Sequence, residues 1–477
     1  MMDCCAAGGG GGDGHDLIVV GAGSAGFSAA IAAAEMGARV ALIGHGTIGG
    51  TCVNVGCVPS KALIRAVGAV HEAGRAARRF AGVESAARIR DWGALMAQKE
   101  ALVAALRQAK YADLLPGYEG ITYVEGRARL APGGVAVGSR HLRAGRIVIA
   151  TGARPSLPAI PGIGSIGALD STSALALAPL PRSMLVLGAG YVGVELAQTF
   201  TRAGVAVTLL CRSRVLPEAE PEIGAALAEA LREEGMTILE GVRYEQVERQ
   251  VGKVALTITR AGRSERLQAE HLLAATGRRP NIEGLGLAEA GVATSPQGAI
   301  LVDERMRSSA PGIYAAGDVT GRDPFVYMAA YGAKIAARNA LAGDSLRYDS
   351  RVMPAVVFSD PQVASVGLTE AAARAAGHEV RTAVLPLAHL PRALAARDTR
   401  GLIKLVADGR DRRLLGAHLL APEGADTIQT AAMALRAGLT IEALAETIFP
   451  YLTTVEGLKL AAQAFEKDVT RLSCCAG

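Results

Sequence analysis

Three cysteine pairs carry the chemistry this sequence can offer. Cys52 and Cys57 stand five residues apart in Gly49-Gly50-Thr51-Cys52-Val53-Asn54-Val55-Gly56-Cys57-Val58-Pro59-Ser60-Lys61. Cys474 adjoins Cys475 near the end, and Cys4 adjoins Cys5 near the start. A two-cysteine couple takes up two electrons, which is what one hydride delivers. A cysteine near a helix N-terminus has a lowered pKa, and the thiolate is the reactive form. An adjacent pair is suited to different work. Its Cα atoms are ~3.8 Å apart, whereas a disulfide wants about 5.5–6 Å. Cys474 and Cys475 therefore make a poor structural disulfide and a good pair of soft ligands, for which Hg(II) is the softest common candidate. Cys4-Cys5 serves equally well as a minimal extra carrier or as two incidental thiols. Cys211, the seventh cysteine, closes a strand-like run and reads as inert and buried. Seven cysteines in 477 residues are not a disulfide framework.

The elements that must position the first pair announce themselves twice. Leu17-Ile18-Val19-Val20 reads as a buried strand and leads into Gly21-Ala22-Gly23-Ser24-Ala25-Gly26, an Ala-rich helix and a second strand ending Leu42-Ile43-Gly44-His45. Met184-Leu185-Val186-Leu187 leads likewise into Gly188-Ala189-Gly190-Tyr191-Val192-Gly193, a helix and a strand ending Leu209-Leu210-Cys211-Arg212-Ser213-Arg214. Each is G-x-G-x-x-G between a strand and a helix, the context that lets a pyrophosphate approach the backbone at a helix N-terminus. A second repeat, Thr151-Gly152-Ala153-Arg154-Pro155 and Thr276-Gly277-Arg278-Arg279-Pro280, follows an apolar strand each time. The spacings differ, so the first dinucleotide unit is expected to be interrupted and completed later, with Ile313-Tyr314-Ala315-Ala316-Gly317-Asp318 as its return strand. Neither second strand ends in the acid that ordinarily binds an adenosine ribose. His45 at the first is either a contributor or a solvated loop residue. Arg212 and Arg214 at the second suit a 2′-phosphate and favour NADPH over NADH, although a basic surface turn would contain the same residues.

Composition fits this layout. Half the residues are hydrophobic and a fifth charged, which excludes a disordered chain. Aromatics are 4% with one Trp, too few for base-stacking nucleic-acid modules. A net charge of +5 marks neither a nucleic-acid nor a membrane surface. The apolar stretches 18–36 and 184–200 are broken by glycines and read as no membrane span, and no signal peptide is apparent. The expected location is the cytoplasm, where thiols stay reduced. Beyond about residue 350, strand-like runs alternate with Ala-rich helices, an α+β pattern.

The string from Gly49 to Lys61 resembles the active-site signature of the flavin-dependent pyridine nucleotide-disulfide oxidoreductases, and the resemblance runs from Asp16 to the end. It implies an α/β fold with two Rossmann-like domains, for FAD and NADPH, and a C-terminal α+β dimerisation domain. The corresponding layout is a flexible tail over 1–14, an FAD-binding domain over 15–157 and 281–350, an NAD(P)H-binding domain over 158–280, an interface domain over 351–470 and a flexible Cys-Cys tail over 471–477. Gly21, Gly23, Ser24, Ala25, Gly26, Gly50, Thr51, Thr151, Gly152 and Gly317 would face FAD. Gly188, Gly190, Gly193, Gly277, Arg212 and Arg214 would face NADPH. The resemblance also implies Cys57 against the flavin, Cys52 as the outer exchanging thiol, a Lys61–Glu195 ion pair near flavin N5, Asp318 on the ribityl chain, and Tyr191 gating the nicotinamide.

Disulfide-reducing members of the family carry His-Pro-Thr-x-x-Glu near the C-terminus, with the His as acid/base for thiol exchange. The matching stretch here is Phe449-Pro450-Tyr451-Leu452-Thr453-Thr454-Val455-Glu456, and the last histidine in the chain is His418. With the terminal Cys474-Cys475, this resembles the mercuric-ion-reducing branch. That branch implies a homodimer with shared active sites and Hg(II) arriving as thiol complexes. Cys474 and Cys475 of one subunit would pass the ion to Cys52 and Cys57 of the other, with Tyr111 and Tyr451 lining the inner site. Many members of the branch have an N-terminal metal-binding domain with a Cys-x-x-Cys loop, which the 14 residues before the first strand do not contain. The alternatives are a disulfide reductase of the lipoamide dehydrogenase or glutathione reductase type, and a flavoprotein that sequesters thiophilic ions without turnover.

Overall fold

The computed structural model describes residues 14–468. Cys4, Cys5, Cys474 and Cys475, with the two expected tails apart from Gly14, lie outside the described residues. The chain divides into two compact units.

The first unit contains residues 14–55, Leu102–Arg154 and Arg278–Asp349. Its centre is a five-stranded parallel sheet in the order Ile313–Ala315, Ile147–Ile149, Leu17–Val20, Val40–Gly44, Ile121–Glu125. The strands Leu17–Val20, Val40–Gly44 and Ile147–Ile149 are buried at every residue, as uninterrupted apolar runs in a parallel sheet covered on both faces must be. The helices Ser24–Ala34 and Val326–Ala342 pack on each other and on this sheet. On the other face, Ile18, Val20 and Ile43 share a core with Val135 and Leu142 of a small antiparallel sheet and with Leu285, Val292 and Ile300.

The second unit contains Gly56–Ala101, Pro155–Gly277 and residues 350–468. It holds a four-stranded parallel sheet in the order Thr237–Leu239, Ala206–Leu210, Ser183–Leu187, His271–Ala274. An antiparallel meander of Val242–Gln250, Lys253–Arg260 and Arg263–Ala269 packs beside it through Val247, Leu256 and Ile258. The C-terminal region is a five-stranded antiparallel sheet, Ala355–Val357, Gln362–Gly367, Leu414–Ala421, Leu402–Asp408, Val380–Pro386. The helices Gly424–Ala437, Ile441–Glu446 and Glu456–Gln463 close its core. Two dinucleotide-type sheets and a C-terminal α+β region are the architecture expected from the sequence.

One helical run, Gly50–Arg79, is long and apolar enough by length and composition to cross a membrane, where the sequence reading expected none. Two of its apolar residues, Leu63 and Val67, are buried in a core with Val194 and Phe200 of the helix Tyr191–Arg202.

Candidate active site

In the first unit, the strand Leu17–Val20 ends at Gly21, whose φ of +117° is open to glycine and strained for other residues. A Cβ there would collide with the Ala150 carbonyl, and one on Gly26 would collide with the Gly21 carbonyl. The helix Ser24–Ala34 therefore begins hard against the strand end. Gly23 caps it in extended conformation, and its first turn holds no acidic residue. Free N–H groups, no opposing carboxylate and a bare backbone suit a dinucleotide pyrophosphate.

The cysteine loop folds onto this edge. Gly49 N–H donates to the Ala22 carbonyl at 2.9 Å, and a Cβ on Gly50 would stand 2.7 Å from Gly23 Cα. The short helix Gly50–Val55 follows, with Thr51 exposed and Cys52 half-buried. Asn54 fastens it by donating to the Ile48 and Gly50 carbonyls at 2.9 and 2.8 Å, while Arg107 donates to Asn54 Oδ1 at 3.1 Å. Beyond Arg107 the helix Trp92–Arg107 widens into a π-helical turn, Gln108–Ala112, a feature frequent at functional sites. That turn delivers Tyr111 beside the loop. Its hydroxyl is 3.1 Å from Ser24 Oγ, its ring meets Phe27 edge-on at 4.9 Å, and a Cβ on Gly49 would touch it at 3.2 Å.

Ala25, Gly317, Asp318, Thr151 and Gly152, also placed toward the flavin by the sequence reading, belong to this unit. Ala25, next to Gly26, would be 3.1 Å from a Cβ on Gly317. Asp318 follows Gly317 at the end of the return strand. Burial pushes its carboxyl above the usual range, against the pull of Arg278 at 3.6 Å. Thr151 donates to the Asn281 carbonyl at 2.7 Å, and Gly152 follows it. His45 is exposed.

In the second unit, Cys57 is the exposed first residue of the helix Cys57–Arg79, whose first turn carries no acid. This is the setting that favours a thiolate. One turn on, Lys61 Nζ donates to Glu195 Oε2 at 2.7 Å. Glu195 Oε1 accepts from Phe358 N–H at 2.9 Å, and Lys61 lies over the Phe358 ring at 4.8 Å. The second glycine motif repeats the first. A Cβ on Gly188 would stand 2.5 Å from the Ala275 carbonyl, one on Gly193 would collide with the Gly188 carbonyl, and Gly190 caps the helix Tyr191–Arg202, again with no acid in its first turn. Tyr191 is half-buried, and burial pushes its phenol up. Gly277 accepts from Ser156 N–H at 3.0 Å.

The two arginines part company. Arg214 donates to the Pro217 and Ala219 carbonyls at 2.7 and 2.8 Å, whereas Arg212 is exposed. Cys211 is buried and its thiol is pushed up to about 11, as an inert strand-end cysteine should be. In the C-terminal region Tyr451 is exposed, while Glu456 is buried, with its carboxyl pushed up by burial while it accepts from Leu452 N–H at 3.2 Å. His418 is walled into its sheet, with a ring nitrogen 2.9 Å from the Leu368 carbonyl. Sequence reasoning missed Asn54, Arg107 and Phe358, whose roles arise from contacts between distant segments.

Residues 15–337 match the family model for pyridine nucleotide-disulphide oxidoreductases, and residues 353–462 match that family's dimerisation domain. A mercuric reductase of Streptomyces lividans is 46% identical over 470 residues, covering 97% of this chain and 99% of that protein. One from Lysinibacillus sphaericus is 44% identical over 469 residues, covering 98% and 85%. Among solved structures, a Cu(II) complex of the HOCl-induced flavoprotein disulfide reductase RclA from Escherichia coli superposes with a TM-score of 0.83 at 31% identity, covering 94% of this chain and 99% of that one.

Proposed function

The chain belongs to the pyridine nucleotide-disulphide oxidoreductase family, and we propose that it is a mercuric reductase, using NADPH and FAD to reduce Hg(II) to volatile Hg(0). The observation that carries this reading is the 46% identity to a mercuric reductase across 97% of this chain and 99% of that protein. The sequence adds the terminal Cys474-Cys475 and the missing acid/base histidine.

When bound, FAD supplies the relay by which the two electrons of an NADPH hydride reach the active site. The glycine edges at Gly21–Gly26 and Gly188–Gly193 fit two dinucleotides, with Thr151, Gly152, Gly317 and Asp318 at the first and Gly277 at the second. Arg212, exposed beyond its strand end, meets the 2′-phosphate and gives the preference for NADPH. Cys474 and Cys475 take Hg(II) from small thiols. Each incoming thiol replaces one thiolate ligand, and the proton it gives up leaves with the released thiol. Cys52 and Cys57 then displace the carrier pair in the same way, so that two sulfurs hold the ion at every stage. Lys61 fixes Glu195 and the face of the helix that presents Cys57. Tyr111, together with Tyr451 of the partner subunit, flanks the ion, so the working unit is a homodimer. Two electrons convert the held Hg(II) to Hg(0), which has no need of thiolate ligands and leaves. The cytoplasm is the proposed compartment, on the cysteine usage.

The test is NADPH oxidation with Hg(II) in excess small thiol, for the whole chain and for a chain ending before Cys474. Oxidation that requires Hg(II), releases mercury vapour and falls on truncation supports both the reaction and the carrier role. Hg(II) binding without NADPH consumption by flavin-loaded protein overturns the reading. Disulfide reduction is the second reading, favoured by the likeness to RclA. It predicts NADPH-driven disulfide turnover unaffected by Cys474→Ala with Cys475→Ala.

A further inference from the structure

The first dinucleotide unit lacks the acid that ordinarily closes its second strand and accepts from the adenosine ribose. Gly44 stands there, and the packing explains why. A Cβ on Gly44 would collide with the Tyr123 hydroxyl and lie 2.9 Å from both Tyr123 Cε2 and Ala22 Cβ. Tyr123 belongs to the neighbouring strand Ile121–Glu125, in register with Leu42, and its ring reaches two residues along to cover Gly44. Gly126 N–H donates to the Gly44 carbonyl at 2.7 Å and Gly21 N–H to the Ile43 carbonyl at 2.8 Å, so the strand end is fixed between the edge strand and the glycine motif.

The phenol therefore occupies the space in which a residue-44 side chain would begin. It is half-buried, and burial, with Glu125 second, pushes its pKa up, so it remains a neutral O–H. Among the described residues none forms a hydrogen bond with that hydroxyl. A half-buried hydroxyl with donor and acceptor capacity unspent, at a strand end beside a pyrophosphate-type turn, is matched to a ribose hydroxyl.

We propose that the Tyr123 hydroxyl replaces the missing carboxylate and hydrogen-bonds the adenosine ribose of FAD, residue 44 being kept bare so that the phenol can reach it. This rests on the flavin reading above. The two residues then form one device: an acid at 44 and a tyrosine at 123 exclude each other.

The test uses the whole chain, stripped of flavin and titrated with FAD while flavin fluorescence is followed. Tyr123→Phe removes one neutral hydrogen bond at constant shape and should weaken FAD roughly 3- to 10-fold. Gly44→Glu alone should also weaken it, because the carboxylate has no room. Gly44→Glu with Tyr123→Val, a good strand residue, should bring the Kd back to within about twofold of the parent, the non-additivity expected of neighbours. An unchanged Kd for Tyr123→Phe overturns the proposal, as does a double variant no better than Gly44→Glu. If Gly44→Glu does not fold, judged by circular dichroism, Tyr123→Phe decides alone. Failure of the parent chain to bind FAD overturns the flavin reading itself, and so is distinct.

Discussion

Lys61 and Glu195 are joined at 2.7 Å, and each stands one helical turn after a residue assigned to the chemistry. Lys61 follows Cys57 by four residues and Glu195 follows Tyr191 by four, so each member lies on the same helix face as its neighbour. The ion pair thus joins the helix of the thiol to the helix of the nucleotide edge. Lys61→Met leaves the carboxylate of Glu195, 8% exposed, with Phe358 N–H but no cation. Loss of one partner of a fully buried pair costs about 3–5 kcal/mol. With the Lys61 side chain about a third exposed, the expected loss is about 1–2 kcal/mol. Urea unfolding at pH 7 measures it, and an unchanged midpoint would show that the pair contributes nothing to stability.

Thiol labelling should separate the cysteines by environment. Iodoacetamide at pH 8, applied to protein reduced with NADPH, should modify Cys52, the proposed outer thiol, and spare Cys211, whose thiol is pushed up to about 11 by burial. Peptide mapping reads the result. Labelling of Cys211 at the same rate as Cys52 would contradict its burial.

Arg212 and Arg214 should behave differently on removal. Arg212→Ser is expected to raise the KM for NADPH about tenfold or more, the worth of a charge-assisted hydrogen bond, and to leave the KM for NADH nearly unchanged. Arg214→Ser releases the Pro217 and Ala219 carbonyls and should lower Tm instead. If Arg214→Ser alone shifted the NADPH KM, the assignment would be reversed.

Asp398 gives a pH dependence whose sign is fixed. Burial opposes its ionisation, but Arg400, Arg79 and Arg75 outweigh that and hold the carboxyl at about 2, below the ordinary 3.8. A depressed folded-state pKa stabilises above the unfolded value and is lost as pH falls through the folded one. The shift corresponds to about 2 kcal/mol, present above pH ~4 and gone near pH ~2. Denaturant unfolding between pH 5 and 2.5 should therefore be steeper in pH for the parent than for Asp398→Asn. Parallel curves would refute the linkage.

What the sequence made legible is what lies in short strings. The two glycine motifs between strand and helix, the Cys52–Cys57 spacing and the return strand ending Gly317-Asp318 are local patterns, and each occupies the kind of element expected. The Lys61–Glu195 pair was readable only through the family resemblance, because 134 residues separate its members. Tyr123 was invisible, since its meaning depends on a diagonal contact across two strands with a glycine. The two arginines looked equivalent until the carbonyls of their own loop distinguished them. The π-helical turn under Tyr111 has no sequence signal that the 3.6-residue period would reveal.

The order of synthesis gives the first sheet a particular history. By the time residue 274 has been made, every strand of the four-stranded sheet in the second unit exists. The five-stranded sheet is then still short of Ile313–Ala315, and Gly317 and Asp318 have not been added. Long-range pairings of this kind are slow to close. On a ribosome the strand that completes the flavin-side sheet therefore follows every strand of the other parallel sheet, and Cys52 and Cys57 are made long before it. Loading of the prosthetic group awaits that strand, and the nascent chain passes through a stage with Cys52 and Cys57 made and no flavin seated beside them.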